Sequence, residues 1–251
     1  ETIVETGYTV YTPKEIRPEG YRIAMISDLH YNTTMDREKL EEQCRRIQDT
    51  QPDLLVLCGD LVDENTTLEE LQEAFEELGQ VESTYGTFFV YGNHDRSRYR
   101  PEPNYTEEQL REAIEGNGIR ILRDEALALS EELTVIGRDD RSVSQYGSRK
   151  SGTELLEGVD TADFLLLLDH QPREYAEDGA LGFDLVLSGH THAGQLWPVG
   201  WINQLLGVSD VNYGYARFGD MQAIVSSGIG GWGYPLRTSG RAEFVTVQVL
   251  A

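Results

Sequence analysis

Cysteine, long apolar stretches and basic residues are all scarce in this sequence of 251 residues, and each scarcity excludes a class of protein. The two cysteines, Cys44 and Cys58, match neither a zinc cluster nor a disulfide-rich scaffold, so we expect two buried free thiols. No stretch reaches the roughly 18 to 20 apolar residues of a membrane-spanning helix. The net charge is −23, with 21 basic against 44 acidic residues. Long nucleic acids are therefore not expected as partners, because their phosphate backbone attracts basic surfaces.

The sequence begins with Glu1 rather than methionine, and this bears on where the protein is located. A signal peptide or membrane anchor before Glu1 would not be visible here, so two alternatives stay open: a protein that is exported or membrane-anchored through an N-terminal segment absent from this sequence, or a cytoplasmic one. The sequence carries no indication of the oligomeric state.

Short apolar runs alternate with helical patterns along the chain. The runs at 22–27, 53–58 and 87–91 are almost continuously apolar, which is typical of strands buried on both faces of a parallel sheet. Further strands are predicted at 133–137, 164–168, 183–187, 222–226 and 243–249, helices at 40–47, 68–78 and 106–115, and a surface loop at 139–152. No repeat or proline-rich linker divides the chain. We therefore predict one α/β domain over residues 1–251, built from two packed mixed β-sheets flanked by helices.

The histidines of the chain all follow predicted strands. They are His30, His94, His170, His190 and His192. A single histidine is more often a structural residue than a metal ligand, but five at strand ends and none elsewhere favour a shared site. The carboxyl ends of strands border the ligand crevice of open α/β sheets, so these side chains are expected to lie close together.

The spacing of these residues suits metal binding. In Asp28-Leu-His30 and His190-Thr-His192 the two side chains lie on one side of an extended segment, since residue i+2 returns to the same face. Oxygen and imidazole ligands without thiolate suit manganese, iron or zinc, and one carboxylate can bridge two cations. A dinuclear centre, with two divalent or transition metal ions per chain, is therefore feasible.

The ordered motifs resemble those of the calcineurin-like metallophosphoesterase superfamily. They are Asp28-Leu-His30, Gly59-Asp-Leu-Val-Asp63, Gly92-Asn-His-Asp95, His170 and Gly189-His-Thr-His192, and the resemblance runs from about residue 21 to the end. It implies the metallophosphoesterase β-sandwich with αββα layers. It also implies that one metal is held by Asp28, His30 and His192, that the other is held by Asn93, His170 and His190, and that Asp60 bridges the two.

Four residues beside the implied ligands receive roles or alternatives. The resemblance implies that His94 stays unligated near the phosphate and acts on the leaving oxygen, with Asp95 as its orienting partner. Arg96 is a candidate substrate contact, because arginine binds phosphate oxygens bidentately. Asp63 either orients a metal ligand or is an ordinary acid at a helix N-terminus, and it is left outside the site.

The expected reaction is hydrolysis of a phosphodiester or pyrophosphate bond by attack of a metal-bridging hydroxide, since two cations roughly 3.5 to 4 Å apart can activate water and stabilise both reacting oxygens. Residues 189–195 and 227–237 are most similar to bacterial phosphodiesterases of the type carried behind a membrane anchor or export signal. Some of these relatives cleave the pyrophosphate of a nucleotide-linked acylated sugar. A lipid-like or small-molecule phosphoester substrate and membrane association are implied.

Two other functions and one ambiguous segment remain. The same metals would support a cyclic-nucleotide phosphodiesterase or nuclease, and a non-catalytic metal-binding scaffold is the alternative from another class. The apolar segment 196–206, interrupted by Pro198 and Gly200, is either a loop or short helix that contacts lipid, or a segment that folds back over the core.

Overall fold

Two six-stranded β-sheets, packed face to face, form the centre of the protein in this computed structural model, which describes residues 2–145 and 147–251. Tyr146, within the predicted loop 139–152, and the side chains of Trp201 and Gln204 lie outside the described part. In chain order the strands are β1 (Val4–Tyr11), β2 (Tyr21–Ile26), β3 (Leu54–Cys58), β4 (Thr87–Val90), β5 (Ile119–Ile121), β6 (Glu125–Ala128), β7 (Leu133–Gly137), β8 (Phe164–Leu168), β9 (Leu185–Ser188), β10 (Gly214–Phe218), β11 (Met221–Val225) and β12 (Glu243–Leu250).

Both sheets are mixed. Sheet 1 has the order β1-β12-β2-β3-β4-β5, and sheet 2 has the order β10-β11-β9-β8-β7-β6. In sheet 1 only β12 and β2 pair antiparallel among these neighbours, whereas in sheet 2 the antiparallel pairs lie at the two edges. The parallel strands β2, β3, β8 and β9 thus form the middle of the sandwich, and the chain leaves each of them toward the candidate site.

Helices flank the sandwich, most of them on its outer faces. They are α1 (Arg37–Asp49), α2 (Leu68–Leu78), α3 (Glu107–Gly116), α4 (Gly152–Leu155), α5 (Tyr175–Leu181) and α6 (Val199–Leu205), with short 3₁₀ helices at Arg141–Gln145 and His192–Gly194. Capping boxes begin α2 and α3, because Thr67 and Thr106 each exchange hydrogen bonds with the residue three positions later.

The strands are apolar on both faces because each face packs against a separate core. In β2, Ile23 and Met25 lie between the two sheets, whereas Ala24 and Ile26 pack against α1, α2 and α3. Alternation along a strand sends successive side chains to opposite faces, so a doubly covered strand needs apolar residues at nearly every position. Full burial of one such aliphatic side chain contributes about 1.5 to 3 kcal/mol.

The predicted two-sheet α/β fold is confirmed, and so are the eight predicted strands and the helices α1, α2 and α3, with end shifts of at most three residues. Four strands were not predicted: β1, β5, β6 and β10. All four lie at sheet edges. Helices α4 and α5 were also not predicted. The segment 139–152, expected as a surface loop, is not at the surface along its whole length, because Asp139 and Asp140 at its start are buried. Cys44 and Cys58 are free and buried, as expected. No helix of the described chain is both long and apolar enough to cross a membrane.

Candidate metal centre

The predicted ligands converge at one end of the sandwich in two groups. Asp28 and His30 follow β2 and meet His192, which follows β9. Asp60 follows β3 and meets His170 and His190, which follow β8 and β9. Within each group one potential ligand atom per residue lies within 4.8 Å of the others. Residues far apart in the sequence thus form two adjoining sets of oxygen and imidazole donors.

Hydrogen bonds fix the orientation of two imidazoles. The Nδ1 atom of His170 lies 2.8 Å from the carbonyl oxygen of Cys58, and its Nε2 atom lies 3.0 Å from Oδ2 of Asp60. The Nδ1 atom of His30 lies 3.2 Å from Oδ2 of Asp63. A hydrogen-bond partner at the ring nitrogen that does not bind metal fixes the tautomer and ring orientation of a metal-binding histidine. Asp63, left outside the site in the sequence analysis, therefore belongs beside His30.

Unpartnered buried atoms test whether these residues fit a metal. Nε2 of His30, Nδ1 of His192 and Oδ1 of Asn93 are buried and have no hydrogen-bond partner within the described chain. The amide nitrogen of Asn93 donates to the hydroxyl of Tyr99 at 3.3 Å, which leaves the amide oxygen as the available atom. An unpaired buried polar atom costs about 1 to 3 kcal/mol. Cations that accept these lone pairs would remove this cost, so the residues fit the implied metals.

The backbone at the site is held in an uncommon conformation. Left-handed φ angles between 41° and 71° occur at Asp28, His30, Asp60, His190 and His192. For residues other than glycine such conformations cost about 1 kcal/mol or more and persist where surrounding structure imposes them. They concentrate here among the candidate ligands.

Two glycines of the motifs are required because the backbone there passes very close to a carboxylate of the site. A Cβ atom on Gly92 would lie 2.2 Å from Oδ1 of Asp60, and one on Gly189 would lie 2.3 Å from Oδ2 of Asp28. Both distances are far below van der Waals contact. The glycines therefore allow the strand ends to approach the two carboxylates.

His94 lies beside the two groups, with its ring centroid 5.4 Å from that of His30. Its Nδ1 atom is 2.8 Å from Oε2 of Glu64, a residue that the sequence analysis missed. The predicted pairing of His94 with Asp95 is wrong. The carboxylate of Asp95 instead accepts hydrogen bonds from the backbone nitrogens of Asp60, Leu61, Val62 and Gly92. Asp95 therefore ties the turn after β3 to the turn after β4, and Glu64 orients His94.

The charges of the site shift several pKa values. Burial would lower the pKa of His94, but its hydrogen bond to Glu64 and the charges of neighbouring carboxylates outweigh burial and raise this pKa to about 9. Burial, together with the charge of His170, lowers the pKa of His190 to about 4. Burial would raise the pKa of Asp60, but the neighbouring His170 holds it well below its usual range. A neutral imidazole and an ionised carboxylate are the forms that bind cations.

Arg96 does not reach into the site as a substrate contact. Its side chain is only 4% exposed, and its guanidinium lies 2.8 Å from Oδ1 of Asp139 and 3.3 Å from Oε1 of Glu107. The same group lies over the ring of Tyr91, 3.8 Å from the ring centroid. Because the guanidinium is occupied by these partners, Arg96 has a structural role in place of the predicted contact with substrate.

Exposed apolar side chains lie along the segments that follow His192. They are Trp197, Leu205, Leu206, Tyr234 and Leu236, here called the apolar surface. The segment 196–206, expected as a loop or short helix, contains α6. The backbone nitrogen of Trp197 donates to Oγ1 of Thr238 at 2.9 Å, which joins the segment to the loop that carries Tyr234 and Leu236.

Comparison with known proteins places this centre in a family. A model of the calcineurin-like phosphoesterase family matches residues 21–194. An uncharacterised metallophosphoesterase of Aquifex aeolicus is 35% identical over 246 residues, covering 96% of this chain and 90% of the relative. A transmembrane protein with a metallophosphoesterase domain from Danio rerio is 32% identical over 95% of this chain but only 56% of its own length. The chain thus spans little more than half of that relative.

Solved structures share the fold at low sequence identity. A dimetal phosphatase from Danio rerio superposes with a TM-score of 0.57 and 12% identity, over 93% of this chain and 94% of the other. The TT1561 protein of Thermus thermophilus has a TM-score of 0.55 and 14% identity, over 84% of this chain and 92% of the other. Two mixed sheets flanked by helices are common to all three. The chain therefore belongs to the calcineurin-like phosphoesterase family, which indicates metal-dependent hydrolysis of phosphoesters.

Proposed function

We propose that this protein hydrolyses a phosphodiester or pyrophosphate bond at a centre of two metal ions. The observation that carries the proposal is the pair of adjoining ligand groups with buried, unpartnered donor atoms. Asp28, His30 and His192 would hold one cation, Asn93, His170 and His190 would hold the other, and Asp60 would be a ligand shared by both. Manganese, iron and zinc all accept such ligands.

The roles of the protein groups follow from their positions. Bound cations supply the charge that neutralises phosphate oxygens and lowers the pKa of a water molecule. Asp63 and the carbonyl of Cys58 keep the imidazoles of His30 and His170 turned toward the centre. His94, held by Glu64, stands beside the centre where it can donate a proton to the departing oxygen.

We further propose that the substrate has a lipid-like part. The support is the apolar surface, in which Trp197 is 76% exposed and Leu205 and Leu206 are each 71% exposed. Exposed apolar patches often mark binding sites, and an acyl chain would cover side chains that water now contacts. The net charge of −23 favours contact with apolar chains over attraction to an anionic lipid surface.

The reaction is tested with metal-stripped protein that is reloaded with manganese, iron or zinc in turn. Turnover is measured on bis(p-nitrophenyl) phosphate and on p-nitrophenyl phosphate, for the wild type, Asp60→Ala and His94→Ala. We expect reloading to restore diester hydrolysis, Asp60→Ala to lose metal and activity together, and His94→Ala to keep metal while turnover falls about 100-fold or more. Stoichiometric metal without turnover on either ester would instead favour the non-catalytic scaffold.

The lipid-like part is tested separately with phosphodiesters that differ only in acyl chain length. The double variant Leu205→Ser/Leu206→Ser should raise KM for the long-chain ester and leave KM for the short-chain ester unchanged. Tyr11→Ser, which alters an exposed aromatic residue at the end of the edge strand β1, is the matched control. Equal KM changes for both esters would contradict the proposal. Cleavage of cyclic nucleotides or single-stranded DNA in the same assays would favour the alternative nuclease activity.

A further inference from the structure

Two aromatic rings border His94 at the mouth of the metal centre. The ring centroid of Tyr99 lies 5.0 Å from that of His94, and the centroid of Trp232 lies 5.5 Å from it. Tyr99 is 52% exposed and Trp232 is 48% exposed, so both rings are partly accessible to solvent. Because the His94 ring itself lies 5.4 Å from that of His30, the two aromatic rings flank the histidine that stands beside the metal centre.

The position of Trp232 is imposed through its backbone. The side-chain oxygen of Gln195 accepts from the Trp232 backbone nitrogen at 2.9 Å, and the two hydrogens of the Gln195 side-chain nitrogen are shared among the carbonyls of Trp232, Tyr234 and Leu236 at 3.0 to 3.1 Å. Gln195 is buried and lies three residues after His192. The loop is thus fixed to the segment that carries a candidate metal ligand, and the indole can be removed without breaking these hydrogen bonds.

Tyr99 is fixed from the opposite direction. Its hydroxyl accepts a hydrogen bond from the side-chain nitrogen of Asn93 at 3.3 Å. Both rings are therefore oriented relative to the metal centre before a substrate arrives. Such preorganisation lowers the entropic cost of binding a rigid, flat group.

We propose that Trp232 and Tyr99 form a subsite for a planar ring, such as a nucleobase or an aryl group, carried by the substrate next to the scissile phosphate. The inference rests on the proposed function in one respect, namely that phosphate binds at the metal centre. Stacking on an aromatic side chain recognises the flat face that every base has, so the subsite tolerates different rings. The substrate class is then a ring-bearing phosphoester, and this requirement is independent of the lipid-like part proposed above.

The test compares two ligands that share the sugar and the phosphate but differ in whether they carry a planar base. Adenosine 5′-monophosphate and ribose 5-phosphate are titrated calorimetrically into the metal-reloaded protein. We expect the nucleotide to bind roughly 5- to 100-fold more tightly, which is the range for stacking of one base on aromatic side chains. Trp232→Ala should remove most of this preference, and Trp232→Phe should retain it. Tyr99→Phe, which keeps the ring but loses the hydroxyl, should also retain it, as should Tyr11→Ala at the edge strand β1.

The outcomes separate the subsite from the hydrolytic reaction. Equal affinity of the wild type for the two ligands, or a preference that survives Trp232→Ala, overturns the subsite even if the protein hydrolyses phosphodiesters. A preference lost in Trp232→Ala and kept in Trp232→Phe supports the subsite even if no ester is hydrolysed, and the proposed reaction is then the part that fails.

Discussion

Replacement of Arg96 by alanine distinguishes a structural role from a substrate contact. The buried pair with Asp139 has side chains only 4% and 2% exposed, and breaking such a pair costs about 3 to 5 kcal/mol because a charge is left buried. Asp139 would keep its contact with Nε of Arg123 at 2.8 Å and the hydrogen bond from the backbone nitrogen of Asp140 at 2.9 Å. These partners reduce the expected loss of unfolding free energy to about 2 to 3 kcal/mol.

The assay is urea denaturation of metal-free protein followed by circular dichroism, together with steady-state kinetics on the metal-reloaded protein. Arg45→Ala is the matched control, because its ion pair with Glu41 is exposed and contributes about 0.3 to 0.5 kcal/mol. We expect Arg96→Ala to lower stability while KM changes less than about threefold under conditions where the variant is folded. An unchanged unfolding free energy together with a tenfold rise in KM would refute the structural role and restore the substrate contact.

Three further substitutions or modifications test the surroundings of the centre. Glu64→Gln should lower kcat about 10- to 100-fold while both metals stay bound, because it removes the carboxylate that orients His94; unchanged kcat would contradict this. Asp63→Ala should weaken affinity for one metal about 10- to 100-fold in chelator competition, and equal affinity would show that His30 needs no such partner. Burial raises the pKa of the Cys44 thiol to about 12, so the thiol stays protonated at pH 8. It should react slowly with a thiol reagent in the folded protein and rapidly in denaturant, and rapid reaction in the folded protein would contradict its burial.

The sequence predicted the inner strands of both sheets but not their edges. Strands such as β3 and β8 are buried on both faces, so nearly every residue is apolar and the pattern is visible. In β1 and β10, by contrast, half-buried residues alternate with exposed ones, and β5 has only three residues. Edge strands obtain their pairing from a single neighbour, which local sequence does not reveal.

The ligand positions were predictable because their motifs follow buried strands, whereas the contacts of neighbouring side chains were not. The family resemblance implied Asp95 as the partner of His94, but the two side chains leave the turn toward different groups. Nothing in Asp63-Glu64 shows which carboxylate reaches which histidine, since that depends on the packing of two separate turns. Arg96 was misassigned for the same reason: its partner Asp139 lies 43 residues away.

Metal content per chain tests the central claim most directly. Protein that has been stripped, reloaded and freed of excess metal is measured by elemental analysis for the wild type, Asp60→Ala and the control Tyr11→Ser. The two ligand groups predict two ions per chain in the wild type and in Tyr11→Ser, and fewer in Asp60→Ala. A wild-type content of one ion or none, or a content of two that Asp60→Ala leaves unchanged, would contradict the two-metal centre with Asp60 between its ions.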